Sequence, residues 1–96
     1  MSLLDRFRRK KDGNDEVMRR ARLLLTGRIA DGMIFDTQTD ESGAVFIFYS
    51  YNISGVDYES SQTLNYDQRR RQEEYKPGSS ITVRYDPRHP TNSVVV

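Results

Sequence analysis

The chain has 96 residues, of which 35% are hydrophobic and 30% charged, with no cysteine and one histidine, His89. This length suits a single small domain with one modest core. Without cysteine there are no disulfides, thiolate nucleophiles or cysteine-ligated zinc, and one histidine excludes any site that needs two imidazoles from one chain. We therefore expect no metal, no cofactor and no enzymatic activity.

The net charge of +1 conceals an uneven distribution along the chain. Residues 1–28 contain nine Lys or Arg and four Asp or Glu, a net charge of +5, whereas residues 29–96 contain six and ten, a net charge of −4. The longest apolar run, residues 44–49, is far shorter than the ~18 residues of a transmembrane helix. No apolar segment of signal-peptide length follows the basic residues, so we expect a cytoplasmic protein.

The first predicted element is a short amphipathic helix over residues 2–11. Its apolar residues Leu3, Leu4 and Phe7 are typical of a helix that enters the headgroup region of an anionic membrane. The alternatives are a solvated basic tail or a helix packed on the body. The basic residues of this candidate membrane or partner contact are Arg6, Arg8, Arg9, Lys10 and Lys11.

Residues 12–14 (Asp-Gly-Asn) are predicted to break this helix, which divides the chain into an N-terminal segment, 1–13, and one domain, 14–96. A second helix is predicted over 15–26, ending near Gly27. Three arginines, Arg19, Arg20 and Arg22, lie away from its apolar stripe. The stripe consists of Val17, Met18, Ala21, Leu24 and Leu25.

From residue 27 onward the hydrophobic period changes from helical to alternating. Strands are predicted over 28–36, 44–53, 56–64, 81–86 and 93–96, with turns at Ser54-Gly55 and Pro77-Gly78. Gly32 predicts a bulge or a close backbone approach. Residues 65–76 are charged and predict a short solvated helix or a loop. The expected fold is mainly β: a curled or barrel-like, five-stranded, mostly antiparallel sheet preceded by a helix.

The strand over 44–53 has one apolar face, with Tyr49 and Tyr51 among its core residues, and a second face that carries Phe46 and Phe48. These two phenylalanines are a candidate interaction face for a protein partner or a second copy of the chain. In the alternative, the helix over 15–26 covers them within the same molecule.

Two strings in the β body resemble the bacterial family called domain of unknown function 3592. The first has the pattern Y-x-Y-x-(apolar)-x-G-x-x-Y and the second ends in V-x-Y-D-P-x-x-P; here they fall at residues 49–58 and 83–90. The resemblance spans residues 27–96. It implies a small β domain, often flanked by transmembrane helices, without assigned catalytic residues. This chain departs from that pattern because its N-terminus is basic and amphipathic.

The expected function is a non-catalytic accessory or interaction domain, attached peripherally to a membrane through residues 2–11. The alternative is a nucleic-acid-binding module of the OB type, in which Tyr49, Tyr51 or Tyr58 would stack on bases. The negative charge of residues 29–96 argues against that alternative, because phosphate binding needs a positive groove.

Overall fold

A single helix, α1 (Leu3–Thr26), opens the structure. The computed structural model describes the backbone of residues 3–96 and the side chains from residue 15 onward. The predicted break at residues 12–14 is wrong, because α1 runs through it. One helical glycine costs only about 1 kcal/mol relative to alanine, which a long helix tolerates.

The predicted end of α1 near Gly27 is confirmed. The Gly27 N–H donates to the Leu23 carbonyl oxygen at 2.8 Å. A Cβ at residue 27 would lie 2.5 Å from that same oxygen, so only glycine fits between α1 and the first strand.

Five antiparallel strands follow α1 and form one curled, nearly closed sheet, which confirms the predicted fold class. Their order in the sheet is β3-β2-β1-β4-β5, so β1 is the central strand and β3 and β5 are the two edges. The strands are β1 (Arg28–Thr39), β2 (Val45–Ile53), β3 (Val56–Thr63), β4 (Ser80–Asp86) and β5 (His89–Val95). β1 and β5 are longer than predicted.

The barrel interior is filled by alternate residues of the strands, as the period of two requires. The predicted inner face of β2 is confirmed, with Ile47 and Tyr49 fully buried and Tyr51 2% exposed. The Tyr49 hydroxyl lies 2.7 Å from Ser93 Oγ, and the Tyr51 hydroxyl donates to the Pro90 carbonyl oxygen at 2.7 Å. Burial raises the pKa of Tyr51. These bonds tie β2 to β5 across the barrel.

Gly32 of β1 is a point of close backbone approach, as the sequence predicted. A Cβ there would lie 2.7 Å from the Ser50 carbonyl oxygen of β2 and 3.0 Å from Val83 of β4. The register shift of β1 occurs further on, between Ile34 and Asp36, so the irregularity falls at Phe35 and not at the glycine.

Residues 65–76 form two short helical elements, α2 (Tyr66–Arg70) and a 3₁₀ turn (Gln72–Tyr75). Asn65 and Gln68 form a reciprocal capping box at the start of α2: the Gln68 N–H donates to Asn65 Oδ1 at 2.8 Å, and the Asn65 N–H donates to Gln68 Oε1 at 3.0 Å. The segment is not merely a solvated surface, because Gln68 and Tyr75 are buried.

Glutamine side chains close the seam between the two edge strands, β3 and β5. Gln62 of β3 accepts the Val95 N–H of β5 through Oε1 at 2.9 Å, and Gln68 Nε2 donates to the Val95 carbonyl oxygen at 3.0 Å. Both polar groups of Val95 that face the open edge therefore have partners. Such pairing removes the unsatisfied backbone groups that make an edge strand prone to aggregation.

We predict that Gln62→Met destabilises the protein by about 1–2 kcal/mol, because it leaves the buried Val95 N–H without an acceptor. Urea unfolding followed by circular dichroism measures the difference. Gln38→Met is the matched control, since Gln38 is an exposed glutamine on β1. An equal loss of stability in both variants would contradict the role assigned to the seam.

Candidate interaction surface

Helix α1 docks across the seam through two arginines. Arg19 Nη1 donates to the Ser93 carbonyl oxygen at 2.8 Å and to Asn92 Oδ1 at 2.9 Å, both on β5. Arg20 Nη1 donates to the Thr63 carbonyl oxygen at 3.0 Å, on β3. One helix thus holds both edges of the barrel, and each guanidinium satisfies a carbonyl that faces the gap.

The Glu16 carboxylate fixes the position of both guanidiniums. It accepts from Arg19 at 2.8 and 2.9 Å and from Arg20 at 2.7 Å. The hydrogen bonds from Arg19, with the one from Arg20, lower the pKa of Glu16 to about 2, against an opposing effect of partial burial. Glu16 therefore stays ionised throughout the physiological range.

The apolar part of the docked side is small. Leu23 of α1 and Val94 of β5 are 4% and 2% exposed, yet neither belongs to the barrel interior. Val94 is paired with Arg84, and Arg84 with Ile29, an exposed residue on the outer face of the sheet. Since residues paired directly across strands share a face, Val94 also lies on the outer face, where α1 covers it.

The apolar stripe of α1 faces solvent. Val17, Met18 and Leu25 are 66%, 58% and 83% exposed, and Leu24 is 45% exposed. At about 100° per residue these side chains, with Ala21, span about 120° of the helix, on the side opposite Glu16 and Leu23. The usual arrangement of an amphipathic surface helix is reversed here, because polar groups dock and apolar groups point outward.

A cleft with basic side chains borders the stripe on the β5 side. It has a volume of about 270 Å³ and is lined by Arg19, Arg22 and Arg88, with Asp86 as its carboxylate. On the helical wheel Arg22 lies about 40° from Met18, at the edge of the stripe. One edge of the exposed apolar stripe is therefore bordered by a positive charge, that of Arg22.

The β body matches a family model described as a domain of unknown function, DUF3592, over residues 26–96. The chain belongs to this family. The resemblance noted in the sequence is confirmed over almost the same residues. No curated protein and no solved structure matches the chain. The DUF3592 match starts at the last residue of α1, so the exposed stripe and the two arginines that dock α1 precede the matched region.

The predicted contact residues of the N-terminal segment lie outside the residues whose side chains the structure describes. They are Leu3, Leu4, Phe7, Arg6, Arg8, Arg9, Lys10 and Lys11.

The structure places the second predicted pair, Phe46 and Phe48, on the outer face of β2, where both are half-buried. Phe48 packs against Phe35 with ring centroids 6.4 Å apart. The idea that the helix over 15–26 covers this face is wrong, because that helix lies at the β3–β5 seam.

The tyrosines considered for base stacking do not form an exposed platform. Tyr49 and Tyr51 are buried in the barrel, and Tyr58 is half-buried with its ring stacked on Tyr51 at 5.5 Å between centroids.

His89 is exposed at the start of β5. From residue 15 onward, no three His, Cys, Asp or Glu side chains are grouped as metal ligands would be. Among the helices that the structure describes, none combines the length and apolarity needed to cross a membrane.

Sequence reasoning missed the residues that hold α1 in place. The i,i+3 and i,i+4 spacing of Glu16 from Arg19 and Arg20 was a visible signal for ion pairs on one helix face. Leu23 was the apolar residue outside the stripe, and it marks the docked side. The acceptors on Ser93 and Thr63 are backbone carbonyl oxygens, and since every residue has one, the sequence does not indicate which of them bind the arginines.

We predict that acid weakens the attachment of α1. The pKa of Glu16 is lowered from 4.5 to about 2 on folding, so its contribution to stability is complete above pH 4.5 and is lost as the pH falls toward 2. Because the carboxylate is 42% exposed, solvent screening reduces this contribution to about 1 kcal/mol.

Glu16→Gln should remove this part of the pH dependence of the unfolding free energy, measured by urea titration between pH 2 and 6. Glu41→Gln, in the exposed β1–β2 turn, is the control and should leave the profile unchanged. A Glu16→Gln profile that overlays the wild type would contradict the role of Glu16 at the seam.

Proposed function

We propose that the protein is a non-catalytic accessory domain that attaches peripherally to the anionic inner face of a cell membrane through α1. The observation that carries the proposal is the exposed apolar stripe of α1, whose most exposed member is Leu25 at 83%. Soluble proteins rarely leave such a stripe on a helix without a partner surface.

The charge around the stripe favours an anionic lipid surface as that partner. Arg22 lies at the edge of the stripe, and Arg88 lines the adjoining cleft. The sequence of residues 2–11 adds five basic residues and the apolar residues Leu3, Leu4 and Phe7. Each basic residue near an anionic surface contributes about 1 kcal/mol, and each inserted apolar side chain a similar amount.

The way α1 is docked supports the same proposal. Arg19 and Arg20 hold the helix on the barrel with its polar side, so membrane contact through the opposite side does not require α1 to leave the body. A helix that inserts flat into the headgroup region needs this orientation, with its apolar residues outward and basic residues alongside. The barrel would then stand on the membrane as a rigid body.

The test is co-sedimentation with vesicles of phosphatidylglycerol, with phosphatidylcholine vesicles for comparison. The full chain should sediment with the anionic vesicles and bind the neutral ones more weakly. Replacing two stripe residues, in Met18→Gln/Leu25→Gln, removes about 2 kcal/mol of apolar insertion, which corresponds to about thirtyfold weaker binding. Deletion of residues 2–11 should also weaken binding.

Val56→Gln is the matched control, because Val56 is an exposed apolar residue in the β body, away from α1. It should bind like the wild type. Absence of sedimentation by the full chain would overturn the proposal, and so would equal binding by the stripe variant.

A mobility assay with a single-stranded oligonucleotide tests the rival function. We expect no retardation at physiological salt, since β1 to β3 carry a net negative charge. Retardation that weakens with rising salt would support nucleic-acid binding instead.

A further inference from the structure

A second apolar surface lies on the side of the barrel opposite α1. β1 is the central strand of the curled sheet, whereas α1 packs on β4 and β5 and reaches β3 through Arg20. On the outer face of β1, Met33 and Phe35 are 47% and 45% exposed. Phe35 packs on Phe48 of β2, and Phe46 continues the same face. We call these four residues the aromatic face.

Acidic side chains surround the aromatic face. Asp36 pairs directly with Phe48, and Glu59 pairs with Ser50, which in turn pairs with Met33. Directly paired residues share a face, so both carboxylates lie on the same face of the sheet as the rings. Asp31 lies two residues before Met33 on the same side of β1. The only basic residue in β1 to β3 is Arg28, at the start of β1.

The surface therefore combines one exposed ring, that of Phe35, and two half-buried rings with carboxylates that form no salt bridge among the side chains from residue 15 onward. It calls for a partner that combines apolar residues with positive charge. Residues 2–11 of the same sequence have this composition: Leu3, Leu4 and Phe7 among five basic residues. Burial of rings supplies affinity, and opposite charges supply orientation and a fast encounter.

We propose that the aromatic face binds residues 2–11 of a second copy of the chain. Within one molecule, α1 is anchored at the seam on the far side of the barrel, so the contact joins two copies. The contact is heterologous, since different surfaces of the two molecules meet. It uses the same segment that the proposed membrane attachment uses, so a segment bound to a neighbour is withdrawn from the membrane.

The experiment is sedimentation equilibrium of the full chain over a range of concentrations at low and high salt. We expect reversible association at low salt that weakens as added salt screens the charges. Asp36→Lys/Glu59→Lys should reduce the association constant about tenfold or more, because it places like charges together. Glu41→Lys is the control in the exposed β1–β2 turn, with the association of the wild type.

A labelled peptide of residues 1–13 identifies the occupant. In fluorescence anisotropy it should bind the full chain and not the Asp36→Lys/Glu59→Lys variant. The proposal is overturned if the full chain is a monomer at every concentration, if the double variant associates normally, or if the peptide does not bind.

Vesicle binding separates this proposal from the membrane proposal. The Asp36→Lys/Glu59→Lys variant should sediment with phosphatidylglycerol vesicles at least as well as the wild type, because the α1 stripe is unchanged. Loss of self-association with retained vesicle binding supports the aromatic face as the receptor. If neither protein binds vesicles while the wild type still self-associates, membrane attachment is overturned. The contact between copies is then still supported.

Discussion

The structure depends on which groups hydrogen-bond to the unpaired backbone N–H and C=O groups of the edge strands β3 and β5. A five-stranded sheet of this curvature brings its edges together without pairing them, and the backbone groups that face the gap need partners. Side chains supply these partners. Gln62 accepts the Val95 N–H and Gln68 donates to the Val95 carbonyl oxygen. Arg19 and Arg20 donate to the carbonyl oxygens of Ser93 and Thr63.

This solution determines the orientation of α1. Because the gap offers carbonyl oxygens, the helix presents arginines to it, and Glu16 between them compensates one of their two positive charges. The guanidiniums and the apolar stripe lie on opposite sides of the helix. When the guanidiniums face the gap, the stripe therefore faces away from the barrel. The exposed stripe is thus a consequence of closing the barrel, and the same helix both seals the fold and presents the surface that we propose for membrane contact.

Much of the barrel could be predicted because its signals are local. The alternation from Val45 to Ile53 identified the inner face of β2, and the predicted Ser54-Gly55 turn identified its end. The orientation of α1 was not predictable in the same way. An apolar stripe normally marks the buried side of a helix, and the carbonyl groups that reverse this rule are backbone atoms on strands far away in sequence. The outer aromatic face was predicted in part. Phe46 and Phe48 were identified from the sequence, but Phe35 joins them through a bulge that no sequence pattern indicated.

Maleimide labelling of single cysteines measures which side of α1 faces the barrel. The chain has no native cysteine, so Leu25→Cys and Leu23→Cys each provide a unique thiol. We expect the thiol at position 25 to react as fast as a free thiol in solution and to be protected by phosphatidylglycerol vesicles. The thiol at position 23 should be protected without vesicles. Protection at position 25 in the absence of vesicles, with free reaction at position 23, would show that α1 packs with its stripe inward and that Arg19 and Arg20 do not orient it.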